Sequence, residues 1–416
     1  MNILFVHQNF PGQYVHICRQ FLNQSGNTVV SVSMNESSIP KVKGYHHYIY
    51  QPKRGNGADI HPLVIDIETK AIRAEACAER CAELKRKGFT PDIICGHPGW
   101  GELLFLPYIW PDVPILMYQE FCYNVNGFDC AFDPELQPDD NDWNNSGRIH
   151  MKNANTLLNL DHATWNITPT AFQKSSYPAR FHHRFSVIHD GISNAARPAK
   201  KTNTLSFEIN DELTLTNADK LVTFVNRHIE PYRGCHSFIR AIPKIQKLQP
   251  DAQIVVVGEQ KGISYGKACE DGEWCDRFLA EIEGEYDTSR VHFVGRINYE
   301  PFLTLLQLSK VHVYLTYPFV LSWSLLEAMS SGCAIVGSAT APVMEVLDHE
   351  HNGLLVDFFS PQAIAEQVDR LLRDRSLAKK LGRQAHLDAI EHYSLERCLP
   401  RQLNLIDLVA SRAIGH

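Results

Sequence analysis

Two arginines flank a short proline-containing turn in the second half of the sequence, within the segment VNRHIEPYRGCHSF. The pattern predicts a strand that ends at Asn226 and a helix that begins near Gly234, which places Arg227 and Arg233 beside a helix N-terminus. Backbone N–H groups there favour an anion, and a guanidinium matches phosphate oxygens through paired hydrogen bonds. The segment therefore indicates a phosphate site, although two solvated surface arginines would show the same spacing.

A carboxylate follows in the segment YPFVLSWSLLEAMSSG, where a strand end is followed by a helix. We expect Leu326, Met329 and Ser330 to face inward and Glu327 to lie in the first helical turn, where the helix dipole stabilises its charge. Its oxygens would suit the two hydroxyls of a ribose. A glutamate that only stabilises the helix end is an equally good interpretation.

Two further candidates lie in the first half of the chain. The loop over residues 7–14 contains Gly12, which could allow the backbone to approach a phosphate or sugar, but it holds no GxGxxG motif of a dinucleotide dehydrogenase. His97 ends a buried strand in ICGHPGWGE, with Trp100 beside it. The histidine could donate to a sugar hydroxyl or act as an acid or base, although turns and packing explain such residues equally well.

The composition excludes several classes of protein. A chain of 416 residues fits two domains of roughly 200 residues each, and 44% hydrophobic with 21% charged residues is typical of a soluble globular protein. A formal charge of −7 argues against a general nucleic-acid binder. No apolar run reaches about 18 residues and the start lacks the features of a signal peptide, so we expect no membrane span. Eleven cysteines without a CxxC pair favour reduced thiols and a cytoplasmic location.

The elements that must position these residues follow a regular alternation. Short β-rich segments alternate with helical segments in both halves, which predicts the α/β class with parallel sheets and right-handed crossovers. The polar stretch over residues 197–204 is the predicted boundary between two doubly wound domains. Their strand ends would face each other across a cleft, where open α/β sheets bind ligands. An acidic, irregular excursion over residues 128–146 could lie near that cleft.

Several sequence phrases, in this order, resemble the family 4 glycosyltransferases with the GT-B fold, and more narrowly a bacterial subgroup whose chains open with FVHQNFPGQ. They are FVHQNFPGQY, FDPEL, SVIHDGI, EPYRG, SYG, VHFVGRI, YLTYPFVLSWSLLEAM, TAPVMEV and HNGLLVDFFSP, and they run almost from end to end. The resemblance implies two Rossmann-like domains, with acceptor binding over residues 1–196 and nucleotide-sugar binding over 197–394. It also implies that the helix over 395–416 packs back on the N-terminal domain.

The resemblance also implies roles for individual residues. Arg227 and Arg233 would hold the donor diphosphate and stabilise the charge of the leaving group, and Glu327 would hold the ribose. The first glutamate of the family's E-x7-E signature falls on Phe319, which cannot accept a hydrogen bond. His97 would act beside the transferred sugar. The other expected donor-binding residues are Gly12, Arg296, Ile297, Ser322, Ser324, Thr340, Ala341 and Pro342, and the expected acceptor-binding residues are Trp100, Glu102 and Glu120.

By the same resemblance, transfer proceeds with retention and needs neither a metal nor a cofactor. Asp139 and Asp140 lie in the irregular acidic segment and do not form a convincing metal motif at a strand end. Frequency in the family favours a UDP-sugar as donor, with GDP-mannose second. The acceptor is not specified and could be a glycan, a lipid-linked glycan, a protein or a small metabolite, with peripheral membrane contact an open question.

Three other functions were weighed against this one. A phosphorylase of the same fold would need a Schiff-base lysine for pyridoxal phosphate, and no lysine lies in the strand-end motifs. A sugar-nucleotide epimerase would not release nucleotide in response to an acceptor. A degenerate protein that binds nucleotide sugar or glycan without transfer is the third alternative, and Phe319 keeps it open.

Overall fold

The computed structural model describes residues 1–136, 143–199 and 205–415. Part of the predicted acidic excursion, including Asp139 and Asp140, and most of the predicted boundary segment lie outside these residues. The chain divides into two compact units. The N-terminal unit comprises Met1–Asp190 and the residues from Cys398 onwards, and the C-terminal unit comprises Gly191–Arg397.

The N-terminal unit is built on a sheet of seven parallel strands in the order β3-β2-β1-β4-β5-β6-β7. This order, which reverses after β1, is that of a doubly wound sheet. The strands are β1 Asn2–Val6, β2 Thr28–Ser33, β3 Tyr45–Ile49, β4 Ile93–Gly96, β5 Ile115–Tyr118, β6 Trp165–Thr168 and β7 Phe185–Val187. Short parallel strands buried on both faces require near-continuous apolar runs, and Ile3 to Val6 of β1 are fully buried.

Six helices accompany this sheet in the described part of the N-terminal unit. They are α1 Val15–Leu22, α2 Ile65–Arg86, α3 Leu106–Ile109, α4 Trp143–Lys152, α5 Ala154–His162 and α6 Ala171–Ser175. One helix was predicted over residues 149–160, but the structure has two, which meet at Asn153. The Asn153 side chain accepts from the Tyr123 backbone N–H (3.0 Å) and donates to its carbonyl (2.7 Å), so the junction is held by tertiary contacts.

The C-terminal unit repeats the arrangement with six parallel strands in the order β12-β11-β10-β13-β14-β15. A separate antiparallel hairpin, β8 with β9, precedes them. The strands are β8 Ser206–Asn210, β9 Leu213–Thr216, β10 Lys220–His228, β11 Ala252–Glu259, β12 Val291–Phe293, β13 Val311–Tyr314, β14 Ile335–Ser338 and β15 Leu354–Val356.

Helices of the C-terminal unit begin with α7, which follows β10. They are α7 Cys235–Leu248, α8 Trp274–Glu281, α9 Tyr299–Leu308, α10 Trp323–Ser330, α11 Ala341–Met344, α12 Pro361–Arg373 and α13 Arg375–Tyr393. The last helix, α14 Leu395–Ala410, carries Leu405, Ile406 and Val409 into the hydrophobic core of β1 and α1. No helix in the described ranges combines the length and apolar character that a membrane span requires.

His312 lies in the core of the C-terminal unit, where its Nδ1 is 2.9 Å from the Thr223 hydroxyl. Burial lowers its pKa to about 3, so the folded protein holds this ring neutral. The unfolded chain takes up the proton near pH 6.5, and stability from His312 is therefore lost as the pH falls from 6.5 towards 3.

A His312→Gln variant should therefore lose less stability on acidification than the wild-type protein. We expect the difference in unfolding free energy between the two proteins to shrink by up to about 1.4 kcal/mol per pH unit below pH 6.5. Denaturant titrations at pH 7.5, 6 and 5 measure it. A difference that stays constant over this range would show that His312 is not held neutral.

Candidate active site

Arg233 is buried in a short turn, Pro231–Arg233, between β10 and α7, with 6% of its surface exposed. Its Nη1 donates to the Thr316 hydroxyl (2.8 Å), the Val320 carbonyl (2.9 Å) and the Tyr314 hydroxyl (3.4 Å). Among the described residues, no acceptor is bonded to its Nε or Nη2. The guanidinium is thus anchored by one nitrogen, and its other edge keeps two donors for a ligand.

The turn that carries Arg233 requires a glycine at its end. Gly234 has φ +71°, and a Cβ there would lie 2.4 Å from the Cβ of Leu315. The backbone N–H of Tyr317 donates to the Tyr232 carbonyl (2.9 Å) and ties the turn to the segment after β13. Local chain conformation and close packing together hold the guanidinium in place.

Glu230 joins a second loop to this turn. It is almost fully buried, and its Oε2 accepts from the backbone N–H groups of Ser264 (2.5 Å) and Tyr265 (3.0 Å). Burial raises the pKa of Glu230, while these two hydrogen bonds and the charge of Arg233 act in the opposite direction. The SYG segment is consequently fixed beside Arg233.

Phe319 packs among aromatic rings next to the same guanidinium. Its ring centroid lies 4.8 Å from that of Tyr265 and 5.4 Å from that of Tyr232. The Arg233 guanidinium carbon lies 5.3 Å from the Tyr265 centroid and 5.9 Å from the Phe319 centroid, within the range of cation–π attraction. A glutamate at position 319 would compete with a ligand for the charge of Arg233, and phenylalanine does not.

Arg227 differs from Arg233 in being exposed. The predicted strand end at Asn226 is wrong, since β10 continues to His228. The pairing with β11 shifts register between Val225 and His228, and this irregularity lets the strand continue past the predicted end. Within the described residues, the Arg227 side chain makes no hydrogen bond or ion pair, so its charge is available to an anion.

Glu327 is the fifth residue of α10, and the predicted position in the first turn is wrong. The predicted inward-facing residues Leu326, Met329 and Ser330 are buried, which is confirmed. Burial raises the pKa of Glu327, and a hydrogen bond from the Tyr299 side chain lowers it in part. Tyr299 begins α9 and is 45% exposed.

The two serines Ser322 and Ser324 form the N-terminal cap of α10. Ser322 Oγ accepts from the backbone N–H of Ser324 (3.3 Å) and lies 3.0 Å from the Ser324 hydroxyl. The backbone N–H of Ser322 donates to the Tyr314 hydroxyl (2.9 Å), which also contacts Arg233. These groups connect the helix cap to the arginine site.

The remaining expected donor-site residues lie in two other loops of the same unit. Arg296 is exposed and Ile297 half-buried just before α9, and both line an open groove of about 620 Å³ beside β8. Thr340 is buried with its hydroxyl 3.0 Å from that of Ser338, and it precedes the exposed Ala341 and buried Pro342 at the start of α11.

His97 is the centre of a second group, in the N-terminal unit. Its Nδ1 accepts from the Gly99 backbone N–H (3.0 Å), so the neutral ring carries its proton on Nε2. Among the described residues, that Nε2 is buried without a hydrogen-bond partner and lies 3.7 Å from Glu120 Oε2. Trp100 packs against the ring with a centroid distance of 4.3 Å. A buried donor left unpaired is costly, and a ligand hydroxyl would satisfy it.

Gly12 lies close to another buried histidine of this unit. It has φ +48°, and a Cβ there would lie 2.6 Å from the His7 ring. His7 Nδ1 accepts from the Asn9 backbone N–H (3.0 Å), and its Nε2 lies 2.9 Å from Gln13 Oε1. Burial lowers the pKa of His7 to about 3. The need for glycine at this turn is therefore explained by packing of His7.

Glu102 is fully buried rather than placed at a surface. The Tyr50 hydroxyl donates to its Oε1 (2.5 Å), and its Oε2 is buried with no hydrogen-bond partner in the ranges that the structure describes. Burial raises the pKa of Glu102. Glu120 has 41% of its side chain exposed, so of the two carboxylates it is the one that solvent reaches directly.

The structure thus assembles two groups of polar residues, one in each unit. Each group also contains residues that are not candidates from the sequence. They are Glu230 and Tyr299 in the C-terminal unit and His7 in the N-terminal unit. Glu230 and His7 stand inside phrases already quoted, EPYRG and FVHQNFPGQY, whereas no local signal distinguishes Tyr299. Among the residues that the structure describes, no three His, Cys, Asp or Glu side chains are grouped as metal ligands.

Comparisons with known proteins match both units. Residues 25–196 match the model described as Glycosyl transferase family 4 group, and residues 206–388 match that described as Glycosyl transferases group 1. An uncharacterised glycosyltransferase of Methanocaldococcus jannaschii, MJ1069, is 28% identical over 163 residues. That match covers 39% of this chain and 38% of the relative, so the chain spans less than half of the relative's length.

Two solved structures are similar over nearly all of the chain. Sucrose-phosphate synthase from Thermosynechococcus elongatus superposes with a TM-score of 0.73 at 17% identity, covering 99% of this chain and 100% of that one. Anabaena HepE in complex with UDP and glucose superposes with a TM-score of 0.69 at 14% identity, covering 98% and 99%. These similarities and the two parallel sheets confirm the predicted GT-B fold of Rossmann-like domains. The chain belongs to the family 4 glycosyltransferases.

Proposed function

We propose that this protein transfers a sugar from a nucleoside diphosphate sugar, with UDP as the nucleotide, to an acceptor hydroxyl. The observation that carries the proposal is the guanidinium of Arg233, which is anchored by residues just beyond the carboxyl end of β13 and keeps one edge free. The exposed side chain of Arg227 belongs to the same unit. The positive charges of these two arginines together suit a diphosphate. The HepE complex, which has the same fold and holds UDP, supports UDP over other nucleotides.

The proposed roles follow from the chemistry of the leaving group. When the bond between the anomeric carbon and the diphosphate oxygen breaks, both electrons stay on the diphosphate. Arg227 and Arg233 neutralise that growing charge, which is a task that a divalent metal performs in other transferases. We therefore propose a metal-independent reaction. We also propose that it retains the configuration of the sugar, in keeping with the family resemblance.

Two further groups would position the donor. Glu327, held by Tyr299, accepts hydrogen bonds from the ribose hydroxyls, with Arg296 and Ile297 beside the base. His97 Nε2–H is a buried donor that has no hydrogen-bond partner within the described part of the chain, and it would bind a hydroxyl of the transferred sugar. Trp100 and Glu120 surround His97 and would contact the acceptor or the sugar.

Nucleotide binding is the first test of this function. Thermal unfolding would be followed with UDP, GDP, ADP and dTDP and with their common sugar conjugates. We expect stabilisation by UDP and by one UDP-sugar, and a weaker effect or none from the others. Equal stabilisation by all four nucleotides would contradict the choice of UDP. Absence of any effect would favour a protein that has lost donor binding.

Transfer should not depend on a divalent metal. Once a donor and an acceptor have been identified, we expect the rate in excess EDTA to match the rate in added Mg²⁺ or Mn²⁺, because arginine side chains supply the positive charge. Release of UDP, coupled to an enzymatic UDP assay, measures both rates. Loss of activity in EDTA that Mg²⁺ restores would overturn the metal-independent mechanism.

Tyr299→Phe should weaken donor binding without removing catalysis. The substitution deletes the hydrogen bond that orients Glu327, and we expect UDP affinity to fall by about threefold to tenfold. The KM for the donor should rise while kcat is retained, since the ribose does not react. Tyr286→Phe in the same unit is the matched control. Unchanged UDP affinity in Tyr299→Phe would rule out this positioning role.

A further inference from the structure

A cavity lies at the amino-terminal edge of the C-terminal sheet, at the opposite end of the strands from Arg227. It has a volume of about 230 Å³ and is enclosed by the starts of β10, β13 and β14 together with the corner between α12 and α13. Lys220 begins β10, and Arg227 follows seven residues later, which corresponds to roughly 23 Å along a strand. The cavity is therefore separate from the proposed donor site.

Three cationic side chains from two parts of the fold line this cavity. Lys310 precedes β13, and Arg375 and Lys379 lie one turn apart at the start of α13. Within the described residues, none of the three side chains makes a hydrogen bond or an ion pair. A protein with a formal charge of −7 has thus gathered unpaired positive charge at one cavity.

The other charged residues of the lining already have partners. Lys220 pairs with Asp251 at 2.9 Å, so its charge is largely offset. Asp219 accepts from the backbone N–H (2.7 Å) and the hydroxyl (3.1 Å) of Thr216. With Asp219 set against the three unpaired cations, the lining keeps an excess of two positive charges. A phosphate monoester carries about −1.5 to −2 at pH 7 and would neutralise that excess.

The position of Lys310 adds to the argument. It is half-buried, and burial lowers its pKa, with the charge of Arg375 acting in the same direction. Like charges held near each other destabilise the folded protein, and the charge of Asp219 offsets this repulsion only in part. An anion between them would turn this repulsion into attraction and would also stabilise the corner between α12 and α13.

The remaining walls and the size of the cavity restrict the ligand further. Leu371, Leu372, Ala334 and Ala378 form apolar walls that would contact a carbon skeleton. The volume is below the roughly 300–1,000 Å³ of sites for drug-sized ligands, which favours a small ligand over a whole nucleotide sugar. We propose that this cavity binds a small phosphorylated metabolite, with its phosphate group between Lys310, Arg375 and Lys379.

Calorimetric titration with inorganic phosphate and with glycerol 3-phosphate tests the proposal. The variants are Lys310→Met and Arg375→Gln, and the matched control is Arg373→Gln, whose side chain is exposed and pairs with Asp369 outside the cavity. We expect phosphate affinity to fall at least tenfold in both cavity variants and to stay at the wild-type value in Arg373→Gln. Equal affinity in all proteins, or an equal loss in the control, would overturn the assignment.

Titrations with excess UDP present separate this cavity from the donor site. We expect phosphate to bind equally well with and without UDP, and loss of phosphate binding in UDP would refute the proposal. Lys310→Arg keeps the positive charge and should keep the affinity for phosphate. This variant distinguishes loss of the charge from a folding defect. The Lys310→Met and Arg375→Gln variants should retain UDP binding, so that failure of this site and failure of the proposed function give different results.

Discussion

Arg227→Ala is expected to unfold at the wild-type temperature and to transfer sugar roughly 10²–10³-fold more slowly. The side chain is exposed and makes no hydrogen bond or ion pair within the described residues that its removal would break. Its proposed role is to neutralise the diphosphate, whose negative charge is greatest as the glycosidic bond breaks. The loss should therefore appear in kcat as well as in donor affinity.

Arg383→Ala is the matched control for this variant, since Arg383 is also an exposed arginine of the C-terminal unit without a described partner. Steady-state kinetics and thermal unfolding of both variants complete the comparison. If Arg227→Ala keeps wild-type turnover, or if Arg383→Ala is equally impaired, the diphosphate role of Arg227 is wrong. The measurement needs a donor and an acceptor that the wild-type protein uses.

Arg233→Ala is expected to lose both activity and stability. The substitution removes the donor shared by Thr316, Val320 and Tyr314, and each buried acceptor left unpaired costs about 1–3 kcal/mol. It also removes the anchored guanidinium proposed to bind the diphosphate. We therefore expect a lower melting temperature together with loss of stabilisation by UDP.

Arg233→Lys separates the two effects. An ammonium group keeps the charge but cannot bond several acceptors and a phosphate at fixed angles, as the planar guanidinium does. We expect part of the stability to return, with UDP binding weaker than in the wild-type protein. An Arg233→Ala protein that binds UDP normally would contradict the proposed site, whatever its melting temperature.

The alternation of strands and helices was sufficient to predict the α/β class and most of the core elements. Apolar strand segments such as Ile93–Gly96 are recognisable because a strand buried on both faces needs an unbroken apolar run. The strand Tyr45–Ile49 was missed because it forms an edge of the sheet, where only one neighbour is present and polar residues are tolerated. The long helix Arg375–Tyr393 was also missed. Gly382 lies inside this helix, and its role there is to allow close approach to Gly332, which depends on tertiary packing.

The types and order of the candidate site residues are determined by the sequence alone, and the matches to the family models confirm the family that they indicated. The sequence alone identifies Arg227, Arg233, Glu327 and His97 as candidates. The surroundings were not predictable, because a neighbour such as Tyr299 reaches Glu327 from a different helix, α9.

Burial was decided only by the tertiary structure, and it distinguishes residues that the sequence treats alike. The two arginines looked equivalent in VNRHIEPYRGCHSF, yet Arg227 is exposed and Arg233 is enclosed by three acceptors and an aromatic cluster. A charge can be buried only where partners from other segments offset its lost hydration. Those partners are the last residue of β13 and two residues that follow it, more than eighty positions further along the chain.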